Sequence, residues 1–500
     1  MKRILHTAAT IIFIGLCVSC RQYEASVDSR KLQEAVSKDS LVYIQIASSR
    51  YDLFQPWKRN PSQTAICFGA AVGPYEVVTL AEPFAYATLV QVKTQQEAQF
   101  VPAEIKAIDY DLNLCLLKLD EKALSAPLKP AEFKDKYKKN LELTGHWLAS
   151  DGTVKTSRGF LDRVIVRSCP TSYQRTLTFV LSSTSRQTSR GEVFADRTGA
   201  VYGIAFDSTE AEVALIPSQT VVSFLRETEQ NKEYSGYGTP GFETYDLVDP
   251  TVRRYLKLPE EMKDGCYVSV VYAKGTGSDV LKAGDVLLAL NGKVIDAFGK
   301  YQHPDFEKVS YEHLIHSRRV DEPVTFTVFR DGKKIELAGK SMRFDASEML
   351  VPYQEYGKQP KYFITGGYVF QKLTLDYLRL WGENWQGKVP PHLFHYYRNM
   401  AMTPPAGRKE IVILSYVLPA DINLGYQNLG RIVVKSINGM EIGQMTDIPA
   451  ALKASPDSPF HVVEFEMGYP TVVIPKDNLE RFNQMILQLY GIPKAENILP

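Results

Sequence analysis

Short apolar runs of β character recur at close intervals between Leu41 and Phe206, and this spacing narrows the fold of the 500-residue chain more than any other property. They begin at Leu41-Val42-Tyr43-Ile44-Gln45-Ile46 and return at Tyr75 to Leu80, Ala87 to Val92, Leu112 to Leu119, Phe160 to Val166, Leu177 to Leu181 and Gly199 to Phe206. β-Branched and aromatic side chains fill the runs, and little helical periodicity separates them. This predicts a β-barrel or sandwich. Val221 to Glu227 is expected as a closing helix and polar Thr228 to Ser235 as a linker. Five hundred residues exceed one ordinary core, so further units must follow.

Two later segments repeat one idea. In "GDVLLALNGKVID" a strand ends at Asn291-Gly292, and in "GRIVVKSINGMEI" another ends at Asn438-Gly439. Asn-Gly suits a two-residue hairpin because both residues tolerate positive φ. One small module therefore occurs twice. Between the copies lies an aromatic-rich stretch, Leu373 to Met400, with Trp381, Trp385, His392, His395, Tyr396 and Tyr397. It is expected to be mainly helical and to pack onto a neighbouring domain.

At the N-terminus, basic Lys2 and Arg3 precede an apolar run from Ala8 to Val18 that is too short for a comfortable membrane span. It is an export signal, and Ser19-Cys20 resembles the small-residue-cysteine pattern at which a lipid is attached. Residues 1–19 are then a signal peptide and 20–40 a tether lipidated at Cys20. A plain signal peptide with chance cysteines is the alternative. Arg21 after the anchor, rather than aspartate, favours the outer membrane, facing the periplasm. A net charge of +1 gives no long-range attraction for nucleic acid, so none is expected as a partner. Cys67, Cys115, Cys169 and Cys266 are irregularly spaced, with no CxxC pair and no ligand-spaced histidines. No metal site and no cofactor is expected. Cys67 and Cys115 lie in apolar strand-like runs and read as core residues rather than a disulfide.

Four stretches in order, "YEVVTLAEPF", "DLNLCLLKLD", "SRQTSRGEVFADRTGAVYGIAF" and "IVILSYVLPADINLGYQNL" with a terminal "YGIPK", together resemble the Deg/HtrA serine proteases, most closely the plant-type members. The similarity runs from about Leu41 to Pro493. It implies a mainly β fold, a chymotrypsin-like double β-barrel over 41–230. A first PDZ domain then covers 231–343, and a second, plant-type PDZ domain with the aromatic insertion covers 344–500.

The same resemblance points to a broken triad. Glu82 stands where the family has its histidine base, and Asn113 where it has the orienting aspartate. Ser189 keeps the nucleophile position, but Gln187 and Thr188 occupy the oxyanion region and Arg190 follows the serine; the flanking glycines are absent. A serine hydroxyl needs a base whose pKa is near the working pH, which histidine supplies and a carboxylate near 4.3 does not. Asn113 carries no charge to stabilise an imidazolium; in trypsin the same aspartate-to-asparagine change costs about 10⁴ in turnover. Bulky Gln187 and Arg190 oppose the backbone that an oxyanion hole requires. His146, the one histidine inside the barrel region of the mature chain, is expected to be structural.

In the first PDZ module the resemblance makes Thr239-Pro240-Gly241-Phe242 the loop that offers N–H groups to a peptide carboxylate. Pro240 removes one donor. The helix in "HPDFEKVSYEHLIHSRR" is expected to flank the peptide groove, with His313 and His316 solvated or packed. The second module shows no clear carboxylate loop, and the resemblance implies an assembly role for it. The resemblance also implies trimer contacts at Tyr51, Phe54 and Trp57, with a local packing cluster as the alternative. The expected function is that of an inactive scaffold, regulator or quality-control factor that binds unfolded polypeptides or protein C-termini. A chaperone-like holder of misfolded envelope proteins, or an endopeptidase with a non-standard triad, are the alternatives.

Overall fold

The first six strands are β1 (Leu41–Ser48), β2 (Gln63–Gly73), β3 (Glu76–Leu80), β4 (Ala87–Lys93), β5 (Val101–Asp109) and β6 (Leu114–Leu119). In the computed structural model, which describes residues 36–134, 137–172, 174–183, 190–230, 234–353 and 355–499, they close into an antiparallel barrel ordered β1-β2-β3-β6-β5-β4. Alternate side chains point to opposite faces of each strand. Ile44, Ile46, Cys67, Val77, Cys115 and Leu117 therefore fill its interior, while Tyr43, Phe68, Val78, Leu114 and Leu116 face outward into a second shared core. Cys67 and Cys115 are core residues, as expected, and burial pushes the Cys67 thiol up to about 12.

A second closed barrel follows, built from β7 (Glu142–Leu148), β8 (Val154–Ser168), β9 (Arg175–Ser182), β10 (Val193–Ala195), β11 (Val201–Ser208) and β12 (Glu212–Pro217), in the order β10-β11-β12-β9-β8-β7. Closure leaves neither sheet a free edge. The closing helix α1 (Ser218–Gln230) inserts Val221 and Phe224 into the core between the barrels. This is the double barrel implied above.

The third unit is an antiparallel sheet of Phe242–Tyr245, Cys266–Val271, Val286–Leu290, Pro323–Arg330 and Lys333–Lys340, in that spatial order. Asn291 and Gly292 have φ of 49° and 72°, the left-handed pair that a tight hairpin needs. The unit rests on the second barrel. The Phe306 ring stands edge-on to Tyr137 at 5.1 Å and to Phe179 at 5.9 Å, flanked by the Lys139–Glu307 and Arg175–Glu312 ion pairs.

The last unit repeats the hairpin, with Asn438 and Gly439 at φ of 51° and 81°, inside an eight-stranded antiparallel sheet. Its aromatic-rich insertion forms short helices, Leu375–Leu378 and Pro391–Asn399. The buried Leu375, Tyr377, Leu378 and Leu393 pack with Ile411 and cover Ile413 and Val433 of the unit's own sheet rather than chiefly a neighbour, correcting the expectation.

The unit then turns back onto the first barrel. Trp57 packs edge-on against Tyr362 at 5.7 Å, Phe54 meets Tyr377 at 6.5 Å, and Gln359 Nε2 donates to the Pro56 carbonyl at 2.9 Å. Tyr356 stacks on Tyr110 at 3.8 Å and donates its hydroxyl to the Thr171 carbonyl at 2.6 Å. Two of the rings assigned to trimer contacts are thus engaged within one chain, and Tyr51 lies beneath the Arg59 guanidinium.

Candidate active-site cleft

Glu82 opens a 3-10 turn, Glu82–Phe84, directly after β3, where the chain must bend away from the barrel. Asn113 holds that bend. It precedes β6 at φ 55°, a left-handed conformation that asparagine tolerates better than most residues. Its buried Oδ1 accepts the N–H groups of Ala81 at 3.1 Å and Glu82 at 2.9 Å, and its Nδ2 has no partner among the described residues. Asn113 therefore secures the backbone under Glu82. No hydrogen bond links the two side chains among the described residues, and the Glu82 side chain is solvent-exposed.

Ser189, Gln187 and Thr188 lie outside the described residues, as does Cys20. The chain after the serine is fixed by its neighbours. Arg190 donates its N–H to the carboxylate of buried Glu192 at 2.8 Å, and its carbonyl accepts the Phe68 N–H at 2.8 Å. Gly191, at φ 106°, donates to the Ala205 carbonyl at 3.0 Å. A Cβ there would sit 2.2 Å from the Phe68 carbonyl oxygen, so only glycine fits this stitch between the barrels. One flanking glycine therefore survives, two places after the serine, which corrects the reading that all were lost. The expected absence of a glycine immediately after the serine stands, since that place is Arg190.

Glu82 and Arg190 line one cleft of about 450 Å³, together with Arg50, Ile66, Leu80 and Tyr86. Burial, reinforced by Asp376, pushes the Tyr86 hydroxyl up to about 12, so it is a neutral donor at ordinary pH. His146 does not line this cleft. It sits fully buried on β7, paired with Val193 and with both ring nitrogens unpartnered among the described residues; burial lowers it to about 4. An unprotonated imidazole closed off from solvent is a packing residue, in keeping with the structural role expected.

The loop at Thr239-Pro240-Gly241-Phe242 is tied inward. Gly238 N–H goes to the Arg318 carbonyl, Thr239 N–H to Met342 and Gly241 N–H to Thr276, each at 2.9 Å. Phe242 begins the edge strand, and its ring stacks on Tyr311 at 5.4 Å, filling the space beside the helix Glu312–His316. That helix faces the second barrel through Arg175–Glu312, and His313 and His316 line an inter-domain cavity of about 320 Å³. His316 Nδ1 donates to the Gly238 carbonyl at 3.0 Å, which leaves Nε2 as the unprotonated nitrogen. Sequence reasoning missed this junction, for which the apolar Phe306 within the polar "HPDFEK" was the available signal.

Two closed six-stranded barrels, a cleft on the first of them that Arg190 also lines, and sheet-based units that follow are consistent with a protease double barrel joined to a PDZ domain. A PDZ domain family model matches residues 351–497. From Arabidopsis thaliana, the chloroplastic protease Do-like 2 is 25% identical over 484 residues, covering 95% of this chain and 77% of its own. The mitochondrial protease Do-like 4 is 23% identical, covering 98% of this chain and 90% of its own. Among solved structures, the HtrA-type protease AlgW with a tripeptide aligns at TM-score 0.48 and 14% identity, covering 64% of this chain and 98% of that one. The chain is a homologue of the Deg/HtrA serine proteases and carries a PDZ domain.

Proposed function

We propose that the protein is a pseudoprotease of the cell envelope that binds polypeptides without cutting them and acts as a scaffold, regulator or quality-control factor. The observation that carries this reading is the pair at the base and orienter positions. Glu82 offers a carboxylate in place of an imidazole, and Asn113, neutral, spends its Oδ1 on backbone N–H groups. Neither can take a proton from Ser189 and return it to a leaving amine near neutral pH. Binding of a chain end at Thr239–Phe242 requires exchange of internal hydrogen bonds, so affinity there is weak. Assembly into a homo-oligomer completes the proposal.

The full chain is expected to leave unfolded casein intact at neutral pH. Glu82→His with Asn113→Asp should add little, and only the further Gln187→Gly and Arg190→Gly changes should begin to restore cleavage, because triad and oxyanion hole act as a unit. Robust cleavage by the natural sequence, abolished by Ser189→Ala, would make this an enzyme with a new triad instead. The Ser19-Cys20 pattern supports a lipid anchor in the outer membrane, facing the periplasm. Replacing Cys20 with alanine should move the protein from the membrane to the soluble fraction, and unchanged fractionation would remove the anchor from the proposal.

A further inference from the structure

The cleft holding Glu82 has an excess of positive charge. Arg50 and Arg190 both line it, both are exposed, and neither has an ion-pair partner among the described residues. Elsewhere in the described chain ten arginines meet a carboxylate within 4.0 Å. The Arg50 guanidinium is held over the Tyr86 ring at 5.4 Å, so it is oriented without being neutralised. Glu82 is the single carboxylate among the residues lining the cleft, since Glu355 and Asp376 line a separate pocket on the other side of Tyr86.

Around these charges the wall is divided. Ile66, Leu80 and Ala85 give an apolar floor, and Ser48, Gln63 and Thr64 give a hydrogen-bonding rim at the paired ends of β1 and β2. A floor for side chains beside donors for a main chain suits an extended peptide, and a guanidinium fork suits a carboxylate in two-point contact.

We propose that this cleft is a binding site for acidic peptides, with Arg50 and Arg190 holding carboxylates and the apolar floor taking neighbouring side chains. The inference rests on the reading that the cleft retains polypeptide without cleaving it. The carboxylate has two sources, a chain end or an aspartate or glutamate side chain.

Fluorescence anisotropy of the full chain with short labelled peptides tests it. The peptides carry aspartate and glutamate or their amides at matched positions, each with a free or an amidated C-terminus. The acidic form should bind at least about tenfold more tightly than the amide form, and the margin should shrink as salt rises. Sensitivity to amidation of the end alone identifies the chain end as source; sensitivity to the side chains identifies internal acids. The double variant Arg50→Gln with Arg190→Gln should lose the preference while keeping the melting temperature, since both side chains are on the surface. Arg190→Glu should shift preference toward a lysine peptide. Equal binding of acidic and amide peptides, or an unchanged preference in the double variant, would overturn the site. Mass spectrometry of the recovered peptide separates the two claims. Cleaved peptide refutes the pseudoprotease reading, whereas the arginine dependence, measured in the Ser189→Ala background, stands or falls by itself.

Discussion

At Gly191 one hydrogen in place of a methyl group decides how the two barrels meet. With a Cβ the Phe68 carbonyl would have to withdraw, and the Arg190–Phe68 bond with it. The sequence displays this glycine plainly, yet motif matching weighs the places touching the serine and passes over one whose role is backbone approach. Asn113 was easier to place by order, but its actual work, accepting two N–H groups, depends on a bend no pattern specifies. His146 carries a measurable consequence. Burial favours its neutral form, so the folded chain binds its proton only near pH 4, whereas the unfolded chain binds it near 6.5. The unfolded state therefore holds more protons between those values. Stability is fully present above about pH 6.5 and declines as pH falls toward 4. Urea unfolding at pH 7 and at 4.5 should differ by about 2 kcal/mol from this residue, and His146→Leu should flatten that part of the profile. An unaltered profile in the variant would show that the ring titrates normally.

Among elements, those legible in sequence were the ones whose burial comes from β-branched and aromatic residues. Leu41–Ser48 and Val201–Ser208 were located within a few residues. Gln63–Gly73 was overlooked because three alanines and two glycines dilute its β-favouring residues, and small residues pack between strands without a β signature. Its Gly69 lies so close to Val77 and Val78 that an added Cβ would meet them at 2.7 and 2.8 Å. Val101–Asp109 escaped for the opposite reason: Pro102, Glu104 and Lys106 interrupt its apolar character, as befits a barrel wall with one wet face. The two Asn-Gly hairpins were readable outright, since their chemistry is local. The edge strand Phe242–Tyr245 was not, because what fills the space beside it is Tyr311, 66 or more positions further along.

The whole molecule is a ring of contacts. The third unit leans on the second barrel, Arg343 at its end reaches Asp111 at 3.0 Å, and the last unit closes back on the loop at Trp57. Such long-range docking leaves no trace in local sequence periodicity. Trp57, with 8% of its surface exposed, is the anchor of the closure. Trp57→Ala should weaken the attachment by about 3 kcal/mol. Limited proteolysis should then release a fragment spanning residues 344–500 faster than from the natural chain. An identical digestion pattern would mean that the other contacts suffice.

That closure also sets a timetable. Trp57 leaves the ribosome early, whereas the sheet that covers it begins at Tyr362 and ends with Asn497. At ordinary rates of synthesis the interval until that sheet is complete is roughly 20 to 90 s. For that time a tryptophan and a phenylalanine stand uncovered on a nascent first barrel, within reach of chaperones and of other copies doing the same. A chain stopped short of its last unit never leaves that interval.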